Sequence, residues 1–138
     1  MQQIEHLGIA VKSLEVSIPI FEMLLNTTCY KTESVESESV NTAFLRCGHS
    51  KIELLESSKS DGVIAKFIEK KGEGLHHVAF KVNDIEAEMK RLQDAGFVLL
   101  NETPKQGADN MLVCFLHPKQ TNGLLVELCM EKNSSLDQ

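Results

Sequence analysis

The chain repeats itself, and the repeat includes polar residues that packing alone gives no reason to duplicate. Ile4-Glu5-His6-Leu7-Gly8-Ile9-Ala10-Val11 lines up with Leu75-His76-His77-Val78-Ala79-Phe80-Lys81-Val82 at a separation of 71 residues. Leu14-Glu15 falls on Ile85-Glu86, and Phe44 on Phe115, at the same separation. Further along, Lys51-Ile52-Glu53-Leu54-Leu55 meets Leu125-Val126-Glu127-Leu128-Cys129 at a separation of 74. The extra three residues fit a final hairpin, Pro118 to Gly123, that is longer than Gly48-His49-Ser50. Several matches in one order indicate a duplicated unit. Any fold proposed for one half must therefore suit the other.

Local patterns give the same element order twice. Ile4 to Val11 alternates as a strand and leads to an amphipathic helix, Leu14 to Leu25, with Ser13 as its N-cap and Asn26 as a left-handed stop. Pro19 is expected to shorten or bend that helix. Strands follow at Cys29 to Val35, Val40 to Cys47 and Ile52 to Leu55, the last two joined by a hairpin at Gly48-His49-Ser50. A polar stretch from Ser57 to Gly62 precedes a short helix, Val63 to Lys70, and the Lys70 to Gly74 segment reads as a linker. The second half offers a strand at Leu75 to Val82 and a helix from Ile85 to Ala95, capped by Asp84 and ended by Gly96. Strands are then expected at Phe97 to Leu100, Met111 to Leu116 and Leu124 to Cys129, before a polar, frayed tail from Glu131 to Gln138. The chain thus reads as one domain over 1–138, with modules over about 3–57 and 74–130 and a linker helix at 62–73.

Composition narrows the setting. No apolar run approaches the ~18–20 residues that cross a bilayer, which excludes a spanning helix. Met1-Gln2-Gln3-Ile4-Glu5 lacks the basic start of a secretory leader, so a cytoplasmic location is expected. Cys29, Cys47, Cys114 and Cys129 show no C-x-x-C spacing and read as reduced packing residues. A net charge of −6 argues against a nucleic-acid partner, which would want a basic surface.

The duplicated polar residues carry the chemistry. Strand alternation puts His6 on one face with Ile4, Gly8 and Ala10, and Leu7, Ile9 and Val11 on a bulkier face suited to packing under helices. His77 repeats this with Ala79 beside it, while His76 is one residue off and is assigned to the other side. The small neighbours leave room for something to sit against the histidine face. Glu53 and Glu127 each interrupt an apolar strand, where a carboxylate is costly unless paired or bound to a cation. Two imidazoles and two carboxylates suit a borderline divalent ion such as cobalt, zinc, nickel or manganese. His49 and His117 lie in turns and read as exposed residues or ligand contacts.

Taken together, these features resemble the vicinal oxygen chelate superfamily, and within it the methylmalonyl-CoA epimerases. The resemblance runs from Ile4 to about Met130. It is carried by the segments already aligned, by Pro104-Lys105-Gln106-Gly107-Ala108, and most specifically by Phe115-Leu116-His117-Pro118-Lys119 followed by Gly123-Leu124-Leu125-Val126-Glu127-Leu128. It implies an α+β fold of two tandem βαβββ modules, forming a cup-shaped, mostly antiparallel mixed sheet around a metal. The metal ligands it implies are His6, Glu53, His77 and Glu127, holding a divalent ion, cobalt foremost. The implied reaction is epimerisation of methylmalonyl-CoA, with a cation stabilising an enolate and acid/base groups acting on its two faces. Glu127 is assigned as one base and Glu53 as the opposite one. Some family members place a second base on the neighbouring strand, but here that strand reads Val40-Asn41-Thr42-Ala43-Phe44, with Glu36 and Glu38 in the turn before it. Lys105 and Lys119 are the candidates for the CoA phosphates, and a homodimer is implied by resemblance alone.

Two other readings compete. A glyoxalase I-type lactoylglutathione lyase would use the same ligand set and similar chemistry. A ligand-sequestering protein on this fold would favour aromatic walls, whereas this chain has 5% aromatic residues and no Trp.

Overall fold

The capping residues set the helices. In the computed structural model, which describes residues 1–132, Ser13 Oγ accepts the Val16 N–H at 3.2 Å and Asn26 adopts a left-handed φ of 52°. They bound α1 (Leu14–Leu25), and Pro19 does not shorten it. Asp84 likewise accepts the Ala87 N–H at 3.1 Å to open α3 (Ile85–Asp94), and Gly96 follows at φ 101°. Between them, α2 (Val63–Lys71) ends on Gly72 at φ 83°. The strands are β1 (Gln3–Ala10), β2 (Lys31–Val35), β3 (Val40–Cys47), β4 (Ser50–Ser57), β5 (Gly74–Lys81), β6 (Lys105–Gln106), β7 (Met111–Leu116) and β8 (Val126–Glu131). The fold class is α+β. The polar tail beyond Lys132 lies outside the described residues.

Two compact units emerge. In the unit Glu5–His77 the strand order is β2-β3-β4-β1, with β1 parallel to β4 and the other pairs antiparallel. Cys47 pairs with Ser50 across a two-residue turn whose first residue, Gly48, has φ 62°, as a type II′ hairpin requires. Ile9, Val11, Ala43, Leu45 and Leu54 point to one side and pack under Leu14, Ile18, Phe21 and Leu25 of α1. On the opposite side Ala10, Val40 and Leu55 are covered by Ile64, Phe67 and Ile68 of α2. The alternation expected for β1 therefore holds, with its bulky apolar residues beneath a helix.

The other unit combines Met1–Ile4 with the chain from Val78 onward, in the strand order β5-β8-β7-β6. Here Ile85, Met89 and Leu92 of α3 pack on Cys114, Leu116, Val126 and Leu128. Ala79, Met111, Val113 and Cys129 cluster on the opposite face with Phe115. All four cysteines of the chain are free thiols. Burial pushes the Cys114 thiol up to about 11.

The repeat holds at the level of hydrogen-bonded register. Glu53 lies between Gly8 on β1 and Phe44 on β3, and Glu127 lies between Ala79 on β5 and Phe115 on β7. The residues paired by sequence are thus the residues paired by position.

One expected strand is displaced. Phe97 to Leu100 forms only an isolated bridge, Leu99 to Leu116, and the edge strand is instead Lys105–Gln106. The cause is local: Asn101 Oδ1 accepts the Phe115 N–H at 3.0 Å, so a side chain takes the place of a strand carbonyl and the backbone leaves the ladder. Other strand ends lie within two residues of expectation, with β2 starting at Lys31 and β8 at Val126. No helix among the described residues is long and apolar enough to cross a membrane.

Candidate functional site

Three of the four sequence-predicted ligands belong to the unit Glu5–His77, and the fold gathers them. His6 Nε2 and His77 Nε2 face each other at 3.1 Å, with the rings nearly perpendicular. Glu53 Oε2 lies 3.1 Å from the other nitrogen of His6, Nδ1. All three side chains are buried. Glycine at position 8 has a specific cause, because a Cβ there would overlap the His77 imidazole. The small residue beside His6 thus makes room for the second histidine, and a bound group is not needed to explain it.

Each histidine is also held from behind. Glu5 Oε1 is 2.7 Å from His6 Nδ1, and the second Glu5 oxygen is 2.9 Å from Lys51 Nζ. Lys51 Nζ lies 4.0 Å from Glu53 Oε2 as well. Glu5 and Lys51 are both buried. Burial pushes the Glu5 carboxyl up, but hydrogen bonds from His6 and Lys51, with the charge of Lys51, outweigh it and hold the group below the usual carboxylate range. In the second repeat position His76 Nδ1 is 2.9 Å from His77 Nδ1, and the His76 ring packs edge-on against Phe67 of α2. Alternation assigns His76 to the side opposite His77, and its ring nitrogen nevertheless reaches that of its neighbour. The sequence pattern singles out neither Glu5 nor Lys51 and sets His76 aside, although Glu5 and His76 occupy matching repeat positions directly before the two histidines.

The donor set fits a divalent ion. Two nitrogen ligands about 2.0–2.1 Å from one ion in neighbouring positions lie about 2.9–3.4 Å apart, which brackets the observed Nε2 separation. A carboxylate on Nδ1 leaves Nε2 as the lone-pair nitrogen, the arrangement metal-bound imidazoles share.

Glu127 belongs to the other unit, buried on β8 between Ala79 and Phe115. Lys105 is exposed, with Nζ 5.6 Å from the centre of the Phe115 ring. Lys119 is exposed in a short 3-10 turn, Pro118–Thr121, and its N–H donates to His117 Nδ1 at 3.0 Å. His117 is therefore a turn cap, and His49 is the exposed second residue of the β3–β4 hairpin. On β3, Thr42 is buried on the same face as Phe44, and Glu36 and Glu38 occupy a 3-10 turn ahead of the strand.

Residues 5–115 match the Glyoxalase/Bleomycin resistance protein/Dioxygenase superfamily. Protein YqjC of Bacillus subtilis is 39% identical over 132 residues, covering 96% of this chain and 94% of its own length. The ethylmalonyl-CoA/methylmalonyl-CoA epimerase of Cereibacter sphaeroides is 38% identical, covering 91% of this chain and 96% of its own. Among solved structures, a variant of Streptomyces coelicolor methylmalonyl-CoA epimerase in complex with 2-nitronate-propionyl-CoA superimposes with a TM-score of 0.92 at 31% identity, over 96% of this chain and 99% of that one. The chain belongs to the Glyoxalase/Bleomycin resistance protein/Dioxygenase superfamily and, within it, to the enzymes of the methylmalonyl-CoA epimerase type.

Proposed function

We propose that the chain epimerises methylmalonyl-CoA in a metal-dependent reaction, with His6, Glu53, His77 and Glu127 as the ligands. The observation that carries this is the buried pair of Nε2 atoms 3.1 Å apart, with Glu53 Oε2 3.1 Å from the other ring nitrogen of His6. Support for Glu127 comes from its register, which repeats that of Glu53 in every strand neighbour. When bound, a divalent ion supplies positive charge that lowers the barrier to removing a proton next to a carbonyl.

The protein's own groups then move the proton. The carbon between the thioester carbonyl and the carboxylate loses its proton to one glutamate, held as the carboxylate, and gains one from the opposite residue, held as the carboxylic acid, inverting the centre. Glu127 takes one face and Glu53 the other. Thr42 carries no titratable group, and β3 holds no carboxylate. Lys105 and Lys119 are exposed cations suited to the CoA phosphates.

The test is turnover of methylmalonyl-CoA by metal-free protein with added cobalt, manganese, nickel or zinc, and His77→Ala as control. Activity restored by metal in the parent and lost in the variant supports the reading. Turnover of a glutathione hemithioacetal in its place would assign a glyoxalase I-type lyase.

A further inference from the structure

We infer that Glu5, locked by Lys51, is a positioning residue that fixes the tautomer of His6 so that Nε2 presents a lone pair to the metal; this rests on the metal-dependent reading above. The geometry is closed on each side. One Glu5 oxygen meets His6 Nδ1 at 2.7 Å and the other meets Lys51 Nζ at 2.9 Å. All three side chains are buried, so water does not compete for these contacts.

An ionised carboxylate only accepts hydrogen bonds, so its contact with Nδ1 requires a proton there. A neutral imidazole with Nδ1–H has its free lone pair on Nε2, the atom that faces His77 Nε2 at 3.1 Å. Glu53 also reaches Nδ1, at 3.1 Å, but Glu53 is itself a proposed ligand and base. Glu5 is the carboxylate left to hold Nδ1 while Glu53 works.

A buried Lys–Glu pair is a weak device for stability, since apolar residues of the same volume serve at least as well. Its use here is directional. Lys51 has three donors and no acceptor, so it fixes which Glu5 oxygen is left for His6. The prediction for Glu5→Gln follows from the same inventory. Lys51 would claim the amide oxygen, turning the NH2 toward His6 Nδ1, and the proton would move to Nε2. The variant changes almost no volume but blocks the ligating nitrogen.

The experiment reads the tautomer directly by long-range 1H–15N correlation of histidine-labelled, metal-free protein, and separately measures cobalt affinity by competition with a chromophoric chelator. The parent is expected to show His6 protonated at Nδ1. Glu5→Gln is expected to show protonation at Nε2 and cobalt affinity lower by about 10–100-fold, with unchanged far-UV circular dichroism. A purely structural role would lower the melting temperature and leave the tautomer alone. If the parent's His6 carries its proton on Nε2, the inference is wrong, whether or not the variant folds. It is equally wrong if the folded variant keeps the parent tautomer and binds cobalt within twofold of the parent. Should the parent bind no cobalt at all, the metal-dependent reading fails, while the tautomer comparison still decides what Glu5 does.

Discussion

The imidazole of His77 occupies the space that any side chain at position 8 would need. Gly8 on β1 and His77 on β5 are therefore a matched pair, one vacating what the other fills. Gly8→Ala cannot be accommodated without moving the His77 ring or the β1 backbone. The expected outcome is a loss of about 1–3 kcal/mol in urea unfolding. Metal affinity should fall at the same time, because the Nε2 pair is pulled apart. A variant that binds cobalt as the parent does would show that His77 has another resting place.

Glu53→Gln separates the two jobs proposed for Glu53. Glutamine keeps an oxygen for a metal but cannot take a proton. Epimerisation is expected to drop by about 10²–10⁴-fold, while exchange of the substrate α-proton with deuterated solvent persists from the epimer that presents its proton to Glu127. Retention of both metal and full epimerisation would remove Glu53 as the second base.

Asn101 does the work of a strand carbonyl for Phe115, the direct neighbour of Glu127. Asn101→Ala leaves that N–H in a partly buried site without its acceptor, and a loss of about 1–3 kcal/mol is expected. Amide hydrogen exchange at Phe115 checks it. Faster exchange confined to β7 and its edge is the expected pattern, and unchanged protection would contradict this account of the displaced edge strand.

Cys114 gives the fold a pH dependence of known sign. Its thiol is pushed from the ordinary 9.0 to about 11 by burial, so between those values the unfolded chain binds fewer protons than the folded one. Stability from this group is intact below pH 9 and declines as pH rises through about 11, by an amount on the order of 2–3 kcal/mol. Urea unfolding at pH 8, 9.5 and 11 should show a shallower alkaline decline for Cys114→Ala than for the parent. Parallel declines would mean that the thiol ionises freely in the folded state.

Much of the fold was legible because polar residues in apolar strands are conspicuous. His6 and His77, with Glu53 and Glu127, mark the repeat through a separation too long for any local motif. The register then follows, since a strand slipped by one residue would turn every apolar side chain to the wrong face. The groups behind the histidines were not legible for a physical reason. Alternation assigns Glu5 and His76 to the face opposite His6 and His77, yet the side chains of both bend back onto Nδ1 of their neighbours. Strand periodicity fixes where a Cβ points, and a long side chain can end elsewhere. The displaced edge strand failed similarly, because Asn101 substitutes a side-chain acceptor where pattern reading counts only backbone.

The two hairpins that precede the glutamates differ in length, with Gly48-His49 in one half and a full 3-10 turn over Pro118–Thr121 in the other. Glu53 and Glu127 nevertheless keep equivalent strand neighbours. The turn length is therefore decoupled from the carboxylate's station, and each hairpin is a place where insertions can accumulate without retuning the chemistry. New loop contacts can evolve there while the register of the two glutamates is inherited intact.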